Sequence, residues 1–360
     1  MNASLKGVQL RQIARLLGKT RSGTKAALTE RIEEALESSK PLAPGTRILS
    51  IDLGIRNLAY SLLEVPETSD TNHEPSAATK TKRGQKKNAT STTSSSTTIT
   101  PILHAWERLA LIPKTPAPAK TPKKRKAKKT KKAQGDDDTE DHDSGPSELP
   151  AGAPDKATTA VVMVEDFSPA RLSALAVDLI LDRLLPLRPD VVTLEQQRFR
   201  SMGGSGVYEW TLRVNSLEAM LYAVLTAMRR LGRWPGGRVE GVVARNVLEF
   251  MVLQEKVAGV DVAEIWGRDA ENKKVKKAIV GRMLAAGEGV SVSAGAEPVA
   301  REYLDVWNGK VRGQKKSESF KKLDDMADCL LQGIAFIRWQ ENKRRLIEGG
   351  VEAVEDQMVD

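Results

Sequence analysis

The 360-residue chain has one cysteine, Cys329, so no disulfide scaffold can form within it. It has only 3 histidines. His73 and His142 sit in low-complexity sequence and His104 is isolated, so no zinc-binding spacing exists. Aromatic residues are 4% of the total, and the spaced tryptophans Trp210, Trp234, Trp266, Trp307 and Trp339 are expected to pack in a core or at a subunit interface. No run of 18 uncharged apolar residues occurs, and the start lacks the basic, apolar and small-residue succession of a secretory signal. The expectation is a soluble, intracellular chain.

What is present is charge, unevenly placed. The formal net charge is +9. Residues 1–66 contribute +4 and residues 67–156 contribute +5, whereas 157–360 carry 29 basic and 29 acidic groups. A basic total points to a polyanion partner, yet the largest segment is neutral.

Leu5, Leu10, Ile13, Leu16 and Leu17 recur at helical spacing before Gly18. A basic loop, 19–23, leads to a second amphipathic stretch with Ala27, Leu28, Ile32, Ala35 and Leu36. This unit, within 1–40, resembles the SAP module, a DNA-binding helix–loop–helix, in which Arg21 and Lys25 would face DNA. Two other readings stand beside it. No acidic residue precedes Glu30, as in a mitochondrial transit peptide, and an ordinary helical hairpin covering a core has the same pattern.

Apolar strands are expected at 47–51, 57–65, 99–111, 190–195 and 237–244, and helices near 169–186, 207–231, 245–257, 270–286 and 320–347. Short strands alternating with helices imply α/β architecture over 46–347. Two low-complexity insertions, 66–98 and 113–158, interrupt it, and 348–360 reads as an acidic tail. The tract 122–132 resembles a nuclear localisation signal and equally fits a basic arm on DNA.

The chemistry lies in acidic residues at costly positions. Asp52 and Glu195 each end an apolar strand, where a carboxylate is expensive to desolvate unless paired or metal-bound. Asp324, Asp325 and Asp328 share one side of the last helix, beside the apolar face of Leu323, Met326, Ala327, Leu330, Ile334 and Ile337. A solvated acidic helix surface would explain the aspartates alone. It does not explain both strand-end acids.

Ser50-Ile51-Asp52-Leu53-Gly54-Ile55-Arg56-Asn57-Leu58-Ala59 resembles the first-strand motif of the fungal mitochondrial Holliday-junction resolvases, nucleases of the RNase H-like superfamily. Residues 195–201, Glu-Gln-Gln-Arg-Phe-Arg-Ser, resemble their second acidic motif, and 321–328, Lys-Lys-Leu-Asp-Asp-Met-Ala-Asp, their third. The likeness runs over about 45–65, 99–111 and 160–345. It implies an RNase H-like mixed sheet flanked by helices, and a homodimer that cuts opposed strands of a four-way DNA junction in mitochondria. It also implies magnesium or manganese, two ions per active site, with Asp52, Glu195, Asp325 and Asp328 as ligands. By spacing alone Asp324 with Asp328 is an equal alternative to Asp325 with Asp328.

Basic and polar residues near these acids are candidate DNA contacts: Arg56, Asn57, Gln196, Gln197, Arg198, Arg200, Lys273, Lys274, Lys276, Lys277, Lys315, Lys316, Lys321 and Lys322. Phe199 or Met202 would wedge into unstacked bases at the junction centre. Two other classes compete with a nuclease. Asp52-Leu53-Gly54 also resembles a phosphate loop of actin-like ATPases, but a second Asp-x-Gly turn with strand context is missing. A non-catalytic SAP-type binder would not need the acids.

Overall fold

The structure is a computed structural model that describes residues 5–67, 99–112, 165–197, 209–260, 271–311 and 322–358. The insertions at 68–98 and 113–158, Trp266, Arg198, Phe199, Arg200, Met202, Lys315, Lys316 and Lys321 lie outside the described residues.

Strands β1 (Arg47–Asp52), β2 (Leu58–Glu64) and β3 (Ile102–Leu109) form an antiparallel meander. On its other edge β1 pairs in parallel with β4 (Val191–Glu195), and β4 with β5 (Arg238–Val242). A two-residue β6 (Ser291–Val292) extends the far edge, giving the order β5-β4-β1-β2-β3-β6. This is the mixed sheet expected from the acidic motifs.

Strand alternation decides which side chains meet which layer. Leu49, Ile51 and Leu53 of β1 and its exit, with Val192 and Leu194 of β4, pack against α3 (Pro169–Asp178) and α4 (Glu209–Arg230). Ile48 and Val191 point to the opposite layer, built from α5 (Ala244–Val257), α6 (Asn272–Ala286), α7 (Glu297–Trp307) and α8 (Leu323–Gly349). By the same alternation Ser50, Asp52, Thr193 and Glu195 face the α8 side. The helix expected over 169–186 changes pitch midway, with a π-helical segment Leu179–Leu184 and a 3-10 turn Leu185–Leu187 following α3.

Helix α8 lies tight on the sheet. A Cβ at Gly333 would sit 2.6 Å from Leu63 Cδ1 and 3.1 Å from Ser50 Cβ. Its first turns are lashed to successive strands by buried side chains. Trp106 Nε1 of β3 donates to Met326 O (2.9 Å) and Ser61 Oγ of β2 donates to Cys329 O (3.0 Å). Gln332 Nε2 donates to Ile51 O of β1 and to Thr193 O and Oγ1 of β4, each at 3.2 Å. Cys329 is itself fully buried, so its role is packing.

The N-terminal helices α1 (Gly7–Leu16) and α2 (Lys25–Glu37) form where the leucine spacing places them, and Thr24 Oγ1 caps α2 by accepting from Ala27 N (3.3 Å). They are part of the same apolar core as α5 and α8. Asn342 Nδ2 donates to Leu16 O (3.0 Å), and Asn246 Nδ2 donates to Gly18 O (2.8 Å). Gly18 has φ +68°, and the Trp339 ring fills the space where a Cβ would stand. At the other end, residues expected as an acidic tail wind into a 3-10 helix, Val351–Gln357, whose Val354 is fully buried. Trp234 and Trp339 are buried, whereas Trp210 and Trp307 remain 38% and 37% exposed.

Candidate active site

Ile51 of β1 lies opposite Leu194 of β4, so the next residues, Asp52 and Glu195, emerge side by side at the carboxyl ends of adjacent parallel strands. Helix α8 crosses above them and brings Asp325 and Asp328, one turn apart on the same face. Burial first, then the charge of Glu195 and a hydrogen bond with it, then Asp328 and Asp325, push the Asp52 carboxyl well above the ordinary carboxylate range. Burial pushes Asp328 up to about 6, Lys276 opposing and Glu195 reinforcing. Burial, followed by the neighbouring Asp324, raises Asp325 as well. These are carboxylates crowded together out of water, the arrangement that strand-end acids and a helical acid pair foreshadow.

Asp324 behaves differently. Burial alone would raise it, but the Lys273 ammonium at 2.8 Å holds its carboxyl below the usual value. It is not among the charges that perturb Asp52 most. Of the two spacings open in the sequence, the helix rotation favours Asp325 with Asp328.

Cations stand against this cluster. Arg108 Nε of β3 is 3.3 Å from Asp325 Oδ2, and Arg108 Nη2 donates to Asn57 Oδ1 at 2.5 Å. Lys276 Nζ is 2.6 Å from Asp328 Oδ1. Arg108 was not visible as a site residue in the sequence, because one arginine in a polar-faced strand is unremarkable. Gln332 did leave a signal, a lone amide inside an apolar helical stripe four residues after Asp328.

The remaining sequence candidates are distributed around this centre. Arg56 lies over the Trp210 ring (5.0 Å to the centroid) and near Phe167 (5.7 Å), which also meets Arg213 (4.1 Å) and the Trp210 ring (5.6 Å). Lys273 and Lys276 are drawn into the acidic cluster, whereas Lys274 and Lys322 are exposed and Lys277 is half-buried near Asp324. Gln197 N donates to Glu218 Oε2 (3.3 Å), and the Gln196 side chain fills the space a Cβ on Gly241 would need. Arg21 is engaged by Glu249 at 2.8 Å, while Lys25 is exposed.

The acids of β1, β4 and α8 form an oxygen-only donor set, which suits a hard divalent cation. Among the described residues, no group of three or more histidine, cysteine, aspartate or glutamate side chains is converged as around a bound ion. The cause is visible in the pairing. Each aspartate of α8 is drawn to its own cation, and Asp52 and Glu195 bond to one another. Protons and side-chain cations supply the neutralisation that a doubly charged ion would supply in their place.

Residues 48–346 match the family model described as mitochondrial resolvase Ydc2 / RNA splicing MRS1. The chain belongs to this family. The match includes β1, β4 and α8 and therefore all of the acids above. Among curated proteins, the mitochondrial cruciform cutting endonuclease 1 of Schizosaccharomyces pombe is 27% identical over 338 residues, 94% of this chain and 93% of the relative. The protein of the same name from Saccharomyces cerevisiae is 26% identical over 208 residues, 50% of this chain and 57% of its own. The crystal structure of the yeast mitochondrial Holliday junction resolvase Ydc2 superposes with a TM-score of 0.52 at 22% identity, covering 97% of this chain and 98% of that one. That likeness establishes the resolvase fold, in line with the sheet order and the placing of α8. Among the described residues no helix is long and apolar enough to cross a membrane.

Proposed function

We propose that this family member is a mitochondrial endonuclease that resolves four-way DNA junctions by hydrolysing phosphodiesters in opposed strands, acting as a homodimer. The observation that carries the reading is the meeting of Asp52, Glu195, Asp325 and Asp328 at one end of the sheet. The family's description also names RNA splicing. A nucleic-acid binder that does not cut has no use for carboxylates crowded at such electrostatic expense, so the cluster favours cleavage.

Asp52, Glu195, Asp325 and Asp328 are the residues that would hold magnesium or manganese. When bound, such ions acidify water and offset charge developing on the phosphate, and two per site is the number suited to phosphodiester hydrolysis. The chain's own groups do the rest. Glu195 and Asp52 are held side by side by the β1–β4 register, so the distance between them is fixed by backbone pairing. Arg108, anchored through Asn57 and Asp325, points a guanidinium at the edge of the same centre, where it can steady a phosphate oxygen. Lys276, now bonded to Asp328, is free to turn to a DNA phosphate once another cation neutralises that carboxylate. The α1–α2 hairpin, with Lys25 exposed, would extend the DNA footprint.

Incubation with a synthetic four-way junction and magnesium tests the reading. Paired nicks in opposed strands are expected, with linear duplex spared. Asp52→Asn should lower the cleavage rate by about 10²–10³-fold, the scale on which essential electrostatic groups act, while junction binding is kept. Cleavage unaffected by that substitution, or binding with no cleavage by the native protein, overturns it.

A further inference from the structure

Beyond the acidic centre, the structure contains a cavity of about 360 Å³ between the α1–α2 hairpin and the sheet. One wall is the hairpin loop, with Lys19 and Thr20, and Arg31 of α2. The opposite wall is α8, with Phe336, Trp339 and Lys343. The remaining side is the end of β5 and Gln196, the residue directly after Glu195. Its size falls within the range of ordinary ligand pockets.

The cavity's lining holds more cations than anions. Among the described residues, the polar partner of the Lys343 ammonium is Gln340 Oε1, at a marginal 3.5 Å. Arg31 Nη1 donates to Thr20 O (2.6 Å) and Ser22 O (3.0 Å), which stiffens the loop, and among the described residues the guanidinium has no carboxylate partner. Among the described residues the buried Trp339 indole N–H has no hydrogen-bond partner. Lys19, Arg31 and Lys343 are opposed by one lining carboxylate, Glu240. Burial, and then the charges of Lys19 and Arg238 against that of Glu240, hold the Lys343 ammonium down to about 8. Three cations, one of them a half-buried ammonium, with a single carboxylate among them leave an excess of positive charge, and an anion entering the cavity would offset it.

Both walls are fixed in place. Asn246 and Asn342 bond carbonyls at the C-terminal end of α1, and Arg21 bonds Glu249 of α5 at 2.8 Å. The site is therefore held at a constant offset from the acids, beginning one residue beyond Glu195, just past the end of β4.

We propose that this cavity binds a backbone phosphate of the substrate DNA, a second anchoring point away from the phosphate that is cut, with Lys343 and Lys19 as its principal donors and Arg31 as its stiffened rim. The inference rests on the junction-resolving reading and adds a position-specific contact to it. Its role is to set the register of one DNA arm relative to Asp52 and Glu195.

The test uses the full-length protein and a synthetic four-way junction without divalent ions, so that binding is measured without cutting. Lys343→Met should weaken binding about tenfold and lower the slope of log affinity against log salt by about 1, the change expected when one phosphate contact is lost. Lys343→Arg should retain both. Junctions carrying single neutral methylphosphonates should show one position at which neutralisation weakens the native protein but leaves Lys343→Met unchanged. Should Lys343→Met fail to fold, judged by thermal unfolding, Lys19→Met is read in the same way. An unaltered salt slope in both variants, or methylphosphonate effects that are the same in native and variant protein at every position, overturns the site while leaving the nuclease reading intact. Native protein that neither binds nor cuts the junction overturns both.

Discussion

At the scale of single residues, the decisive feature is that carboxylates occupy positions where the fold supplies little water. Asp52 and Glu195 could be found in the sequence because a charged residue closing an apolar strand contradicts its surroundings. Which aspartates of α8 join them could not, since i, i+3 and i, i+4 spacings both converge on one face. Lys273 bonds Asp324 and so favours Asp325, and a lysine 51 residues away is not a local signal. Arg108 was hidden for a similar reason, because its partner Asp325 is 217 residues distant. Glu249 offers a test at this scale. Burial alone would raise its carboxyl, but hydrogen bonds from Arg21 and Arg245 outweigh that and hold it below its ordinary 4.5. A depressed acid contributes stability that is complete above the unfolded value and is lost as pH falls through the folded one. Thermal unfolding followed from pH 6 downward should therefore show the native protein losing more stability below 4.5 than Glu249→Gln does. Parallel curves for the two proteins would mean that the Arg21–Glu249 pair contributes nothing to stability.

At the scale of elements, α8 is the part on which the site depends. Its apolar stripe and acids were legible, and so was the existence of β1, β2, β4 and β5, because their patterns are long or strongly periodic. Helix α7 and the two-residue β6 were not, being short and set among glycine and small residues. The 3-10 helix Val351–Gln357 escaped because one apolar residue, Val354, docks an otherwise acidic stretch. What no pattern discloses is the lashing of α8 to the strands. Gln332 is expected to be a positioning residue, since it ties the turn after Asp328 to both β1 and β4. Gln332→Leu keeps most of the volume but leaves the Thr193 hydroxyl and the strand carbonyls with one donor fewer, which should destabilise the fold by about 1–3 kcal/mol. The cleavage rate at saturating junction should fall while junction affinity stays within about twofold of native, a split that general unfolding would not give. Gln332→Glu, which can keep a bond to the hydroxyl, should fall between the two. An unchanged rate in a folded Gln332→Leu protein would show that α8 is placed by apolar packing alone.

At the scale of the molecule, the hairpin α1–α2 changes the meaning of the charge distribution. Its basic loop suggested a SAP-like DNA-binding unit and its apolar face a hairpin covering a core, and Leu10, Ile13, Leu16, Leu28 and Ile32 are buried in the same core as α5 and α8. Deletion of residues 1–38 would uncover that apolar surface. The expected outcome is a protein that unfolds at lower denaturant or precipitates, rather than one that merely binds DNA less well. A truncated protein with native stability and weakened binding would restore the picture of a detachable module. Within the neutral 157–360 region, opposite charges meet at α8, where Lys273 bonds Asp324 and Lys276 bonds Asp328.

The late position of α8 in the chain has a consequence in time. During synthesis Asp52 and Glu195 are laid down well before Asp325 and Asp328, and the helix that carries the last pair also closes the larger core. The contacts that complete the centre join residues more than 100 positions apart, so they form late in folding. On the proposed reading an unfinished chain would lack half of its acidic centre, so the ability to break DNA would arrive together with the finished fold that restrains it.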